Sequence, residues 1–221
     1  MKCKHKRHYY LWMVLTVLLL FCCSRTAVYA ETQEYSIPNA DFIAVVNSDG
    51  TVDITETWTV SYDSGEFTRF YKDWLQDGLK EDESFQIDLS SLKVFIDGVE
   101  CEYTDDTNGR PDFHYYAAKN NDGYTVNCYL KSKNVTRTYV INYTVYNAVK
   151  HVQSDDFYVF SFRYIGANFS KARENTKVKV FAPQGAKAAV LYASDASDNY
   201  SDENYVEVES GHNFGMFKVK V

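Results

Sequence analysis

Apolar and polar residues alternate with a period of two along most of the chain beyond residue 40. In TVDITETWTV, residues 51–60, Val52, Ile54, Trp58 and Val60 fall on one side and Asp53, Thr55, Thr57 and Thr59 on the other. This period predicts half-buried strands. Comparable runs are DFIAVVN at 41–47, LKVFI at 92–96, VECEYT at 99–104, DFHYYAA at 112–118 and GYTVNCYLK at 123–131. They continue with TRTYVINYTVY at 136–146, DFYVFSFRYIG at 156–166, NTKVKVFAP at 175–183, AAVLYA at 188–193, NYVEVES at 204–210 and FGMFKVKV at 214–221. Asp49-Gly50 and Asp97-Gly98 supply the positive φ of two hairpin turns. Short strands separated by turn signals predict an all-β fold, an antiparallel β-sandwich, immunoglobulin-like or related. The one helical candidate is KDWLQDGLK, residues 72–80, a run too short to assign.

One position breaks the alternation. Glu56 lies on the apolar side of its strand, where a lone carboxylate is costly unless paired, hydrogen-bonded or protonated. Lys72 lies between Phe70 and Trp74 at the same period. Glu56 is therefore expected to pair with Lys72, with Arg69 the weaker candidate, in a structural ion pair that fixes strand register. A β-bulge near Thr55 would instead turn Glu56 outward.

The first 30 residues follow a different pattern. A basic head, Lys2, Lys4, Lys6 and Arg7, precedes an apolar run of 13 residues, 11–23, and then AVYA. This reads as a signal peptide cleaved after Ala30, because a membrane span needs about 20 apolar residues. The remainder, 31–221, is expected to be one extracellular β-sandwich domain, with a possible sub-boundary near Pro183. The leader holds five Lys/Arg and no acid, so cleavage would take the net charge from −7 to −12. Such a chain repels nucleic acid.

Cleavage would leave two cysteines, Cys101 and Cys128, each on the apolar side of its run. They either form a disulfide, as export permits, or remain buried thiols. The sparse framework favours the thiols.

Motifs for chemistry are missing. DDTNG, residues 105–109, resembles the start of a calcium loop, but position 115, where the closing acid belongs, is Tyr. The loop SDASDNYSDEN, 194–204, reads as solvated. His114, His151 and His212 are scattered, and no G-x-S-x-G or phosphate-binding glycine loop occurs. No catalytic residue, metal or cofactor is expected. Phe113 to Tyr116, with Tyr200 and Tyr205, place rings beside polar loops as sugar-binding platforms do, although tyrosine is also a favoured strand residue.

Residues 42–74 resemble the N-terminal extracellular region of the YciQ-like predicted membrane proteins, a bacterial family of unknown function. Asp49-Gly50, Glu56 and Tyr71-Lys72-Asp73 fill its turn, its strand glutamate and its Y-R-D segment. TYVINYTVYNAV at 138–149 and the aromatic strand ending at Gly166 match its second half. Lys72 replaces the usual Arg, and a Trp-Asn pair near Phe160 is missing. The resemblance implies a non-enzymatic domain of a cell-envelope protein, acting in binding, sensing or scaffolding on a protein or an envelope glycan. It also implies membrane attachment through a segment beyond Val221, or else a freestanding secreted form. A secreted carbohydrate-binding or adhesion module is the alternative, and a cell-wall hydrolase using Glu56 as its acid is a third.

Overall fold

The computed structural model describes residues 32–76, 79, 84–154, 156–165, 171, 173–193, 198–201, 205–210 and 216–221. The leader, parts of the 72–80 and 194–204 segments, Gly166 and His212 lie outside the described residues.

The first hairpin joins β1 (Glu34–Val46) to β2 (Val52–Ser64), and β3 (Phe67–Leu75) follows. Next come β4 (Gln86–Ile96), β5 (Val99–Glu100), β6 (Glu102–Tyr103), β7 (His114–Asn120) and β8 (Gly123–Ser132). The long β9 (Val135–Tyr146) leads to β10 (Val149–Val152), β11 (Phe157–Arg163) and β12 (Arg173–Phe181). The chain ends with β13 (Ala189–Ala193), β14 (Asp198–Ser201), β15 (Tyr205–Ser210) and β16 (Met216–Lys220).

These strands form three sheets. The largest has the order β14-β15-β12-β1-β2-β9-β4-β5. Two four-stranded sheets, β3-β8-β7-β6 and β10-β11-β16-β13, complete the set. Both small sheets pack against the same face of the large one. Trp58 of β2 and Tyr139 of β9 meet Phe70 of β3, with centroids 5.9 and 4.6 Å apart. Tyr143 of β9 approaches Phe162 of β11 at 6.4 Å, and Phe42 of β1 approaches Tyr164 at 4.7 Å. The architecture is thus sandwich-like, one broad layer covered by two narrow ones.

Alternation explains the layering. In β2, Val52, Ile54, Glu56, Trp58, Val60 and Tyr62 are all buried, while Asp53 faces solvent and the threonines between are half-buried. Pairing is mostly antiparallel, but β1 runs parallel to β12 and β6 parallel to β7. Pro183 lies where the chain leaves the large sheet after β12 and enters the small sheet at β13. Thr32–Val221 nevertheless form one compact unit.

The helical candidate is corrected. Residues 72–75 belong to β3, where Lys72 and Trp74 are buried and Asp73 lies between them. A period of two, too short to resolve beside two lysines and a glycine, outweighs local helix propensity once β8 is there to pair with. No bulge occurs at Thr55 either. Thr55 and Glu56 pair in register with Ile43 and Phe42, so Glu56 stays on the inner face.

The turns follow their chemistry. Asp97 and Gly98 have φ of 51° and 82°, the two positive values of a tight hairpin. Gly123 opens β8 at φ 145°, and a Cβ there would run into the Trp74 carbonyl of the paired strand. Gly98→Ala, with open space around it, is expected to cost about 1 kcal/mol. Gly123→Ala is expected to cost clearly more, about 2–3 kcal/mol, because backbone must move as well. Urea unfolding of the two variants measures the difference.

Candidate functional site

Glu56 enters the interior because β2 keeps its period of two through that position. Its carboxylate has no solvent exposure. Lys72 of β3 reaches it from the facing sheet, with Nζ 3.2 Å from Oε1, and is itself 2% exposed. The Trp58 indole donates to Oε2 at 2.8 Å, and Trp74 donates to Oε1 at 2.8 Å. The Tyr143 hydroxyl also donates to Oε1. Lys72 donates to the Tyr164 carbonyl at 2.6 Å, and its ammonium lies 4.7 Å from the Trp74 ring centroid. Burial pulls the Lys72 pKa below its ordinary value, and the Glu56 carboxylate opposes that shift. The pair therefore joins all three sheets: Glu56 from the large one, Lys72 from the second, and Tyr164 just past β11 of the third.

This geometry suits a structural role. Four donors surround the carboxylate among the described residues, and none of it is exposed to solvent. Arg69, the weaker candidate for the pair, is exposed and donates to Asn127 at 3.0 Å instead.

The other sequence candidates lie apart. Cys101 and Cys128 are buried, free thiols. Burial pushes Cys101 up to about 11 and Cys128 well above the usual thiol range, which makes both poor nucleophiles. In the 105–109 turn, Asp106 accepts from the Gly109 amide at 2.7 Å and Asp105 accepts from the Tyr103 hydroxyl at 2.6 Å. Those carboxylates serve the turn. Among the described residues no group of three or more His, Cys, Asp or Glu side chains is placed to hold a metal.

A second feature was not legible in the sequence. A cavity of about 460 Å³ lies beside β3, within the range of ligand sites. Every residue of 66–71 lines it, whereas the opposite wall uses alternate residues, Tyr35 and Ile37 of β1 and Val60 and Tyr62 of β2. Its cations are Arg69, Arg110 and Lys171, and its acids are Glu66 and Asp73. Arg110 sits at φ 47° and donates to Thr68 Oγ1 at 2.9 Å. Both guanidiniums lie near enough to the Tyr129 hydroxyl to oppose the pKa rise that burial causes there. The Arg69, Tyr71, Asp73 row of β3 was the available signal, but Arg110 and Tyr35 come from distant segments with no motif between them.

Comparison with known proteins decides the family. The family model described as "Predicted membrane protein (DUF2207) N-terminal domain" matches residues 36–213. The chain belongs to this family, the YciQ-like membrane proteins. No curated protein matches it in sequence. Among solved structures, it is similar to yeast LTA4 hydrolase in complex with bestatin, at TM-score 0.55 and 11% identity over 90% of this chain. Native yeast LTA4 hydrolase gives TM-score 0.53 and 10% identity over 89% of this chain. The chain spans 31% of the length of each, and at these identities the likeness concerns the fold alone. Among the described residues of this domain, no helix is long and apolar enough to cross a membrane.

The buried network has two measurable effects. Tyr143→Phe removes one donor from Glu56 without opening a cavity, and is expected to lower unfolding free energy by about 1.5–3 kcal/mol. Tyr158→Phe, at an exposed ring, should change it by less than about 0.5 kcal/mol. The second effect concerns alkali. Burial raises the hydroxyl pKa values of Tyr62, Tyr143 and Tyr164, and takes Tyr139 up to about 12. The unfolded chain ionises these groups near 10 while the folded chain keeps them protonated. Stability is thus full below pH ~10 and falls above it, by at most about 1.4 kcal/mol per pH unit for each tyrosine. Lys72, with its pKa lowered, acts in the opposite direction but only below its unfolded value near 10.5, so above about that pH the tyrosines set the slope. Tyrosinate absorbance should accordingly appear together with loss of β-sheet circular dichroism as pH rises.

Proposed function

We propose that this family domain is a non-enzymatic binding module held outside the cytoplasm by its parent membrane protein. Its role is binding, sensing or scaffolding at the cell envelope. The observation that carries the reading is the contrast between its two polar features. The acid that sequence singles out is sealed and paired, whereas the slot beside β3 is open and lined by rings and cations. A closed carboxylate holds a fold together, and an open mixed-polarity cavity receives a ligand. The leader pattern, a basic head with a 13-residue apolar run, supports export.

A second reading, a sugar-binding or adhesion module, draws on Tyr103 and Phe113, exposed at 52% and 37% beside the 105–109 turn. Tyr103 stacks on Tyr116 with centroids 6.5 Å apart, which would steady a platform there. A glycan array probed with the chain tests this reading, and Tyr103→Ala should abolish any signal that depends on that platform.

Topology is tested directly with Tyr158→Cys. Position 158 is 53% exposed, and Cys101 and Cys128 are buried. A membrane-impermeant maleimide should label the variant in intact cells above the level of the unsubstituted chain. Labelling gained only after lysis would place the domain in the cytoplasm and overturn the proposal.

A further inference from the structure

The slot beside β3 specifies the class of its occupant, provided that the domain is the binding module proposed above. A cavity lined by consecutive residues of a strand lies along that strand's edge, because alternate side chains point to opposite faces. Here residues 66–71 all contribute, while β1 and β2 opposite present one face each. β3 ends its sheet, and among the described residues no strand pairs with its outer edge. A bulge is confined to its start, between Phe67 and Arg69, and residues 69–75 pair regularly with β8. An open, regular edge facing a cavity is a template for an added strand.

Charge narrows the choice. The whole chain carries −7, yet three cations line this slot. Among the described residues neither Arg69 nor Arg110 has a carboxylate partner. Arg110 is held in a left-handed backbone conformation, and its guanidinium is fixed on Thr68 of the edge strand itself. Glu66, just before β3, and Asp73 also line the slot, which leaves three cations against two acids. The ring faces are already taken: the Arg69 guanidinium lies 5.4 Å from the Tyr71 centroid, and the Lys171 ammonium 4.7 Å from that of Tyr35. A sugar would need those faces for stacking, whereas a peptide carboxylate needs the cations.

We propose that the slot binds an acidic peptide segment in extended conformation, which adds to β3 as a further strand and sets its carboxylates against Arg69 and Arg110. Apolar side chains on its other face meet the half-buried rings of Tyr35 and Phe67.

The probe is a fluorescein-labelled peptide of about eight residues, a strand's length, with alternating Val and Glu. Its binding to the full 221-residue chain in nonionic detergent is read by anisotropy. Two further peptides carry N-methyl groups at the odd or at the even positions. The parent peptide should bind, more weakly as salt rises. One N-methylated peptide should lose at least about tenfold in affinity and the other little, because only alternate amides face β3. Arg69→Ala with Arg110→Ala should lose about tenfold or more, with an unchanged circular dichroism spectrum. If that variant fails to fold, the N-methyl pair on the unsubstituted chain decides. Equal binding of both N-methylated peptides, or no binding of the parent peptide, overturns strand addition. A polyuronate that binds where the peptide does not also overturns it, while leaving a binding module. Failure of the binding reading itself would appear as silence toward both probes.

Discussion

The fold depends on a charge pair that no solvent reaches. Taking Glu56 and Lys72 out of water costs several kcal/mol for each ion, and their attraction recovers this only with good geometry and further hydrogen bonds. The surroundings supply both. Two indoles and a phenol donate to the carboxylate, and a backbone carbonyl and a ring face receive the ammonium. A pair of this kind contributes little net stability against well-packed apolar residues, but it makes alternatives expensive. If β3 slipped by one residue along β8, Lys72 would turn outward and Glu56 would stay buried without its counter-ion. The pair is thus best understood as the device that sets how the two narrow sheets dock on the broad one.

That role also bears on β3 as an edge strand. An inward-pointing charge is one of the means by which natural edges resist indiscriminate pairing. Lys72 confers it on the inner face, while the outer row, Arg69, Tyr71 and Asp73, remains at the slot. The same nine residues therefore anchor the core on one side and border the open cavity on the other. Membership of the membrane-protein family is shown by sequence, and the likeness to yeast LTA4 hydrolase, at 11% identity, concerns the fold alone. Neither carries a chemistry to this chain.

Much of the architecture was legible in the sequence because alternation is a local signal. The runs at β2, β8 and β9 mark both their own strands and their inward rows, and the run at β11 marks its strand. Glu56 was legible for the same reason: it violates a pattern that its neighbours keep. Lys72 followed from the same logic, as a cation between two aromatics at matching period. The failures are non-local. The 72–80 segment mixes charge, Leu and Gly so that a period of two is masked, and only pairing with β8 makes 72–75 a strand. The parallel contact of β1 with β12 joins segments more than a hundred residues apart, and no sequence feature announces it. Nor does any motif link Tyr35, Arg69 and Arg110, which meet only after the sheets have docked.

The most direct test of the ion pair's role is a double-mutant cycle read by equilibrium unfolding, with Glu56→Leu, Lys72→Met and both together. Each single change should cost about 3–5 kcal/mol, since it strands one buried charge, and the double variant should cost far less than their sum. Single changes that cost less than about 1 kcal/mol, or a double variant whose loss equals the sum, would contradict a pair that holds the sheets in register.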